Sequence, residues 1–443
     1  MHDNVINRLK RAGAAALATT GLTVALVSTG TGAASAQTLV TWDDYTDVGQ
    51  AAVIEKLNQN FQAAHPGVTI NRTARTFDDL SLTLKLAVSS GDGPEVTKVN
   101  QGAGDQGAMA QQGLLLPIDA YIAKYGWDKQ QSDGVLARAR WSDTGQFGEG
   151  KTFGISGLGE IVGLYYNQKV LNDAGIAEPP KTLEDLIADV DALKAKGVVP
   201  FVIGTSKQHF ALHLIAGIEQ AQMDASQRQS LDDIIYGRGG TLKTDAALKA
   251  ATLAQQWATS GGFIDGYQGI SGDDAVQLFV AGGGAFLVSG TWQFGTMQNN
   301  PDIHFMAIPA PAGISKPLSV GGVDLSWSIT SNAKDQATQD LAAQYIDYMV
   351  SPEAATIWAE AGFFPSTALA DPSVVTSTVL SEGLAMWKVL GENNALGHYP
   401  DWASPTLLKT YDDNIPLLFA GTMTPEDFVA ALDADYQAYI ASK

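Results

Sequence analysis

One short stretch contains residue types that could bind a ligand: GGGAFLVSGTWQFG, from Gly282 to Gly295. A triple glycine can form a phosphate-binding loop, but the Gly-Lys-Ser/Thr sequence that such a loop requires does not follow it. Phe286-Leu287-Val288 predicts a buried strand instead. Trp292, which follows between two polar residues, either stacks on a bound molecule or packs against the protein. We favour stacking, because Gly290 and Gly295 leave space around the ring.

Catalytic and metal-binding motifs do not emerge from the sequence. A Gly-x-Ser-x-Gly elbow is missing, because Gly154-Ile155-Ser156-Gly157 lacks the final glycine at the required offset. His-Glu-x-x-His is also missing. His209 and His213 lie four residues apart on a predicted helix, but no third metal ligand is evident. We interpret them as polar or packed histidines and expect neither a metal nor a cofactor.

Adjacent aspartates form the next candidate group. The pairs are Asp43-Asp44, Asp78-Asp79, Asp232-Asp233, Asp273-Asp274 and Asp412-Asp413. A glycosidase needs two carboxylates that face each other across a sugar, whereas neighbours in sequence usually point apart. Most of these pairs are therefore interpreted as solvated or helix-capping residues. Asp43-Asp44 differs, because it lies at a predicted strand end between Trp42 and Tyr45.

Aromatic residues recur in predicted loops and at strand ends, with glycine, proline, aspartate or asparagine nearby. They are Trp42, Tyr165, Tyr166, Trp292, Trp327, Phe363, Phe364, Tyr399 and Trp402. Flat aromatic faces beside carboxylates and amides suit a sugar, because its C–H face stacks while its hydroxyls form hydrogen bonds. Each ring alone could equally belong to the core. Their joint recurrence favours a carbohydrate site.

The elements that must position these residues alternate between strand and helix. Strands are predicted at Thr38–Trp42, Val68–Asn71 and Glu95–Asn100. Helices between them predict an α/β lobe with a largely parallel sheet. Ligands bind beyond the carboxyl ends of such strands. Asp44 and Tyr45, and separately Asn100 and Gln101, are therefore expected at a pocket.

The centre of the chain repeats this pattern. Residues 150–168 read as a strand pair interrupted by glycines, and Thr182 with Asp185 is a helix-capping sequence. Val199–Ile203 is the next predicted strand. A second α/β lobe is thus indicated, followed by a more helical last quarter. The 407 residues after position 36 are too many for one core and suit two lobes.

The first 36 residues have the pattern of a signal peptide. Arg8, Lys10 and Arg11 form a basic start, and an uncharged apolar segment ends at Ala34-Ser35-Ala36, a small-x-small cleavage site. We expect an exported protein whose mature chain begins at Gln37 and which is periplasmic. Cysteine is absent from the sequence, which excludes disulfides and a lipid-modified cysteine anchor.

Charge restricts the ligand. The chain carries a net charge of −20, and the first 36 residues contribute +2. An acidic surface of this size repels nucleic acid. Few arginines remain after the predicted cleavage: Arg72, Arg75, Arg138, Arg140, Arg228 and Arg238. Because a multiply anionic ligand needs converging arginines, a neutral ligand is favoured.

With these residues in view, the whole mature chain resembles family 1 extracellular solute-binding proteins, the carbohydrate-binding components of ABC importers, and is similar in layout to maltose-binding proteins. The segments that carry the resemblance are TWDDYTD, GPEVTKVNQ, GKTFGISGLGEIVGLYYNQKVLNDAGI with PPKTLEDL, SGTWQFG, GGVDLSWSIT with SPEAATIWAEAGFFPS, and GTMTPEDF. No single segment is decisive, but their order along the chain is specific.

The resemblance implies two α/β lobes joined by a hinge of several strand crossings, with the ligand between them. The N-terminal lobe would comprise residues 37–153 and 307–350, and the C-terminal lobe residues 154–306 and 351–443. The implied ligand-binding residues are Trp42, Asp44, Tyr45, Asn100, Gln101, Glu160, Tyr165, Trp292, Asp324, Trp327, Phe364 and Trp402. The implied partners are a sugar and the membrane permease of an ABC transporter, with the protein a monomer that binds no nucleic acid.

One departure from the family pattern concerns the segment after the family's Pro-Asp-Val. The family often has a bulky aromatic there, whereas Val99-Asn100-Gln101-Gly102 is small and polar. Two other functions stay open: a secreted glycoside-active enzyme that uses Asp44 or Glu160, and a receptor for a sugar acid or sugar phosphate.

Overall fold

The structure is a computed structural model that describes residues 37–207 and 209–443. The predicted signal peptide, residues 1–36, lies outside the described residues. The strands are β1 (Gln37–Asp43), β2 (Val68–Ala74), β3 (Val96–Val99), β4 (Arg140–Trp141), β5 (Lys151–Thr152), β6 (Gly159–Asn167), β7 (Phe286–Gly290), β8 (Ile303–Met306), β9 (Gly321–Val323) and β10 (Ser326–Ile329).

The helices surround these strands. They are α1 (Val48–Ala64), α2 (Phe77–Ser90), α3 (Ala108–Gln111), α4 (Asp119–Tyr125), α5 (Asp133–Leu136), α6 (Gln168–Asp173), α7 (Leu183–Ala195), α8 (His209–Ala221), α9 (Arg228–Ile235), α10 (Asp245–Thr259), α11 (Gly272–Val280), α12 (Phe294–Met297), α13 (Gln336–Met349), α14 (Pro352–Glu360), α15 (Thr378–Glu392), α16 (Leu407–Phe419) and α17 (Pro425–Ala441). Among the described residues, no helix is both long enough and apolar enough to span a membrane.

The first sheet has the strand order β10-β3-β1-β2. β1 runs parallel to both β2 and β3, and β10 is antiparallel to β3. The parallel pairs follow from the two crossover helices, α1 and α2, which start at the side-chain caps Asp47 and Thr76. The largely parallel sheet predicted from the sequence is therefore confirmed.

The second sheet is built around β6, which pairs antiparallel with β7 and β8. Phe201 adds isolated parallel bridges with Phe263 and Phe286. The predicted strand Val199–Ile203 is thus reduced to one bridging residue, although helices do pack against this sheet as expected. The predicted capping sequence at the start of α7 is confirmed, because Thr182 and Asp185 each accept a backbone N–H of the other.

Two neighbouring segments of the chain run between the first and the second sheet. Ile155 bridges Trp327 beside the first sheet, and Gly159 at the start of β6 pairs with Val323 in β9. A third segment joins them, since Gly159 N–H donates to Phe364 O at 2.9 Å. These contacts form the predicted crossing between the sheets. β9 pairs with β6 of the second sheet, and β10, which follows it in the chain, pairs with β3 of the first sheet.

Candidate functional site

A buried lysine organises the carboxyl end of the first sheet. Lys98 in β3 is fully buried, and its Nζ lies 2.7 Å from Asp44 Oδ1 and forms an ion pair with Asp324 Oδ2. Tyr45 Oη donates to Asp324 Oδ2 at 2.7 Å, and Lys98 Nζ lies 3.6 Å from the centre of the Tyr45 ring. We call Asp44, Tyr45, Lys98 and Asp324 the Lys98 cluster. It joins β1, β3 and the segment between β9 and β10.

Electrostatics stabilise the charged form of Lys98 within this cluster. Burial acts to lower the pKa of Lys98, but the attraction of Asp324 and Asp44 more than offsets it, so the pKa is raised. Burial also raises the pKa of Asp44, and Lys98 opposes that rise. Buried charges are tolerated when they are paired and hydrogen-bonded, and each member of the cluster supplies a partner for another.

A third acidic residue, Glu160, approaches the cluster from the second sheet. Glu160 in β6 accepts a hydrogen bond from Tyr399 Oη at 3.1 Å. Burial, followed by the repulsion of Asp324, raises the pKa of Glu160 well above its usual range, while Lys98 acts to lower it. Glu160 therefore lies within electrostatic reach of the Lys98 cluster, and its surroundings favour the protonated carboxyl more than water does. A neutral carboxyl can both donate and accept hydrogen bonds.

Four rings form a continuous series beside Glu160. The Trp292 and His213 ring centres lie 5.3 Å apart, those of His213 and Tyr399 5.9 Å, and those of Tyr399 and Trp402 5.2 Å. We call these four residues the aromatic row. Tyr399 and Trp402 are buried, whereas Trp292 is half-buried and therefore partly accessible.

The space around Trp292 is explained by the protein itself. A Cβ on Gly290 would collide with the Trp292 ring, and a Cβ on Gly295 would lie 2.5 Å from the Phe363 ring. The prediction that these glycines leave room for another molecule is therefore wrong. Gly290 lets the indole fold back over the end of β7, which fixes the orientation of its exposed side.

Arg138 ties three distant segments together near this row. Its Nη1 donates to Gly321 O at 2.5 Å and its Nη2 to Gly397 O at 2.9 Å. The side chain is buried, and burial lowers the pKa of Arg138 to about 10. Arg138 thus holds β9 and the loop before Tyr399 in fixed positions.

Three residues predicted to bind the ligand lie in the core instead. Tyr165 is fully buried, and its hydroxyl donates to Gly290 O at 2.8 Å within the second sheet. Trp327 packs edge-on against Tyr45 and Tyr345. Phe364 packs edge-on against Phe294 and Trp387. We leave Tyr165, Trp327 and Phe364 out of the proposed site because of these packing contacts, and a role for them in ligand binding stays a prediction.

Trp42 occupies an intermediate position. It lies at the carboxyl end of β1 and is 8% exposed, and the Arg75 guanidinium carbon lies 3.9 Å from its ring centre. An arginine at this distance covers one face of the indole. Only the rim of Trp42 can contact a ligand in this arrangement.

The two amides after β3 have different partners. Gln101 is buried, and its Nε2 donates to Asp324 O at 3.1 Å and lies 3.2 Å from Ser326 Oγ. It therefore positions the segment that carries Asp324. Asn100 Nδ2 donates to Asp105 Oδ2 at 3.0 Å, and burial raises the pKa of Asp105 to about 6.

The structure places Asp44, Tyr45 and Asp324 in the Lys98 cluster and Trp292 and Trp402 in the aromatic row, and Glu160 contacts Tyr399 of that row. That these residues bind a ligand stays a prediction. Sequence reasoning missed Lys98, and it interpreted His213 as a polar or packed histidine without placing it near the site. The signal for Lys98 was present: a single charged residue in the strand VTKV must find partners if the strand is buried. Among the described residues, no group of three histidine or acidic side chains is arranged to hold a metal.

Comparison with known proteins supports the fold. A family model described as bacterial extracellular solute-binding protein matches residues 56–379. A protein of Brucella abortus (strain 2308) described as a binding protein is 24% identical over 285 residues, which are 64% of this chain and 65% of that relative. The chain therefore spans about two thirds of that relative's length.

Solved structures are similar over nearly the whole described chain. A chitin oligosaccharide binding protein superimposes with a TM-score of 0.78 at 19% identity, over 91% of this chain and 99% of that one. A maltose/maltodextrin-binding domain from Bdellovibrio bacteriovorus, bound to maltotriose, gives a TM-score of 0.69 at 18% identity, over 91% and 100%. These likenesses establish the two-lobed α/β fold. The predicted residue boundaries of the lobes stay a prediction.

Proposed function

Because the chain belongs to the bacterial extracellular solute-binding proteins, we propose that it is the receptor of an ABC importer and binds a neutral sugar between its two lobes. The observation that carries this proposal is the proximity of the aromatic row to the Lys98 cluster and Glu160. Similar structures include proteins whose names specify chitin oligosaccharide, maltotriose and raffinose. Each of these ligands is a neutral carbohydrate.

The chemistry of the site matches a sugar hydroxyl. Asp44 and Asp324 are fixed as acceptors by Lys98. Glu160, with its raised pKa, can donate as well as accept. A hydroxyl is itself both donor and acceptor, so neighbouring hydroxyls can satisfy both kinds of group. The partly exposed face of Trp292 can stack on the apolar side of a ring.

Closure of the lobes explains how the site selects among sugars. The crossings at Gly159–Val323 allow one sheet to rotate relative to the other, and closing excludes water from the ligand. A hydroxyl that then lacks a protein partner costs about 1–3 kcal/mol. The positions of Asp44, Glu160 and Asp324 therefore determine which arrangement of hydroxyl groups on a sugar the site accepts. Export through the predicted signal peptide, a periplasmic location, a monomeric state and delivery to a membrane permease belong to the same proposal.

The enzyme alternative rests on one observation. Glu160 has a raised pKa, as a general acid in a glycosidase does. A glycosidase also needs a second carboxylate, and the candidate, Asp44, is already held in an ion pair with Lys98. Complete stability of aryl glycosides during long incubation is the outcome that we expect, and steady release of the aryl group would favour the enzyme.

Calorimetric titration of a sugar panel, chosen by thermal shift, tests the receptor. We expect Trp292→Ala to weaken binding of the selected sugar by about 30-fold, because truncating an aromatic anchor commonly costs about 2 kcal/mol. Tyr166→Ala is the matched control: Tyr166 is also half-buried and stacks on a histidine, with ring centres 5.1 Å from His304, but it lies outside the row.

Affinity should stay unchanged in Tyr166→Ala, and both variants should melt close to the parent without ligand. Equal affinity of Trp292→Ala and the parent protein would contradict the stacking role. Failure of every sugar in the panel to bind would contradict the proposed function.

A further inference from the structure

A small cavity of about 70 Å³ lies beside the Lys98 cluster, between α2 and the end of β3. Leu80, Leu84 and Met109 form its apolar wall, and all three side chains are buried. Asn100 and Asp105 line its polar side. The cavity therefore presents one apolar and one polar surface at a short distance from each other.

The sequence explains why this space is open. The segment Val99–Gly102 is small and polar at the place where the resemblance leads one to expect a bulky aromatic. Gly102 has a φ of +87°, and the chain passes so close to Trp402 that a Cβ there would lie 2.7 Å from the Trp402 Cα. The backbone is thus drawn toward the aromatic row, and the side chains of Val99 and Asn100 line the cavity beneath α2 without filling it.

The cavity adjoins the proposed sugar site. Lys98 lines it and also contacts Asp44 and Asp324, and Leu325, the residue after Asp324, lines it as well. It lies at the carboxyl end of β3, on the edge of the sheet where ligands of α/β folds bind. A substituent of a ring held at the Lys98 cluster could enter it.

The cavity is large enough for a substituent of a sugar but too small for a whole sugar ring. Roughly 10–15 Å³ of such volume holds one water, so this cavity has room for a group of a few heavy atoms. A hydroxyl alone would leave the apolar wall uncovered. A charged amine would pair with Asp105 but would leave the apolar wall of Leu80, Leu84 and Met109 uncovered.

We propose that this cavity binds the acetamido group of an N-acetylated amino sugar. The methyl group would pack on Leu84 and Met109, and the amide N–H would donate to the Asp105 carboxylate. The amide oxygen would accept a hydrogen bond from Lys85 or Ser81, which lie on the α2 side of the cavity. The inference rests on the proposed sugar-receptor function and specifies the substrate class.

Three disaccharides that differ only at carbon 2 test the proposal by calorimetry: cellobiose, its diamino form and its N,N′-diacetylated form. We expect the diacetylated sugar to bind about 30-fold more tightly than cellobiose, since it adds one buried methyl and two hydrogen bonds. Equal affinities, or tightest binding of the diamino form, would overturn the inference while the receptor function stands. Absence of binding by all three, and by a wider sugar panel, would overturn both.

Two variants connect the preference to the cavity. Leu84→Phe fills it and should reduce the preference for the diacetylated sugar to less than about 3-fold. Leu86→Phe is the matched control, because Leu86 lies two residues away on the exposed side of α2, with 73% of its surface accessible. It should keep the full preference.

If Leu84→Phe melts below the assay temperature, Asp105→Asn replaces it. The asparagine keeps the size of the side chain but offers a neutral acceptor, so the preference should fall by about 5-fold. An unchanged preference in the folded cavity variant would contradict the inference.

Discussion

Removal of the buried ammonium should expose how strongly the site depends on Lys98. In Lys98→Met, Asp44 and Asp324 lose the partner that both of them contact, and Glu160 loses the attraction that opposes its raised pKa. Leaving one side of a buried ion pair without its partner costs about 3–5 kcal/mol. We expect a loss of that size in the free energy of unfolding at pH 7.5.

The loss should depend on pH in a defined direction. Burial already raises the pKa of Asp44, and without Lys98 nothing in the cluster opposes that rise. A carboxyl whose pKa is higher in the folded state contributes stability below its unfolded pKa and loses it as the pH rises through the folded value. The deficit of Lys98→Met should therefore be smallest near pH 4.5 and largest at pH 7.5.

Urea unfolding followed by tryptophan fluorescence measures both effects. The matched control is Lys409→Met, because Lys409 lies at the same distance, 2.7 Å, from Asp413 but is exposed. Surface pairs of this kind contribute little, and the control should unfold like the parent at each pH. A deficit in Lys98→Met no larger than that of Lys409→Met, or one equal at pH 4.5 and 7.5, would refute this account of the cluster.

Three other predictions concern the frame of the site and its ligand. Arg138→Met should lower the free energy of urea unfolding by about 3 kcal/mol, because two buried carbonyls lose a charged donor; Arg138→Lys should recover only part of it, and full recovery would contradict the two-carbonyl role. Gly102→Ala should lower the melting temperature more than Gly113→Ala, because both residues have a positive φ but only at Gly102 would a Cβ collide with Trp402. Equal decreases in melting temperature would mean that backbone strain alone, and not the collision, accounts for the effect. Affinity for the selected neutral sugar, titrated at 50 and 500 mM salt, should change less than about 2-fold, and a steep decrease would favour an anionic ligand.

Local patterns predicted the parts of the fold that depend on neighbours in sequence. The parallel strands β1 and β2 follow from alternation with α1, and Thr182 was recognised as a cap from Asp185 three residues later. Trp257 and Trp358 lie among aliphatic residues in helices, a local pattern typical of the core, and each is 3% exposed. In each case the physical cause lies within a few residues of the effect.

Long-range contacts could not be predicted in the same way. Glu160 and Tyr399 are 239 residues apart, and nothing near either one specifies the other. Tyr165 and Trp292 both have glycine nearby, yet one lies in the core and the other is partly exposed, because β6 is central in its sheet and Trp292 follows the end of β7. Composition predicted a carbohydrate site, whereas the residues that lie near one another in the fold depend on strand order.

The choice of lysine over arginine at position 98 bears on the kind of ligand. A lysine ammonium is a compact charge that can lie between two carboxylates, whereas the planar arginine fork is suited to binding an anion directly. Here both carboxylates surround the ammonium, so its charge is neutralised within the protein and is not directed at a ligand. The site then offers fixed acceptors from Asp44 and Asp324, and an added anion would face them as well as Glu160. The geometry of the Lys98 cluster therefore opposes a sugar acid or phosphate for the same reason that it suits hydroxyl groups.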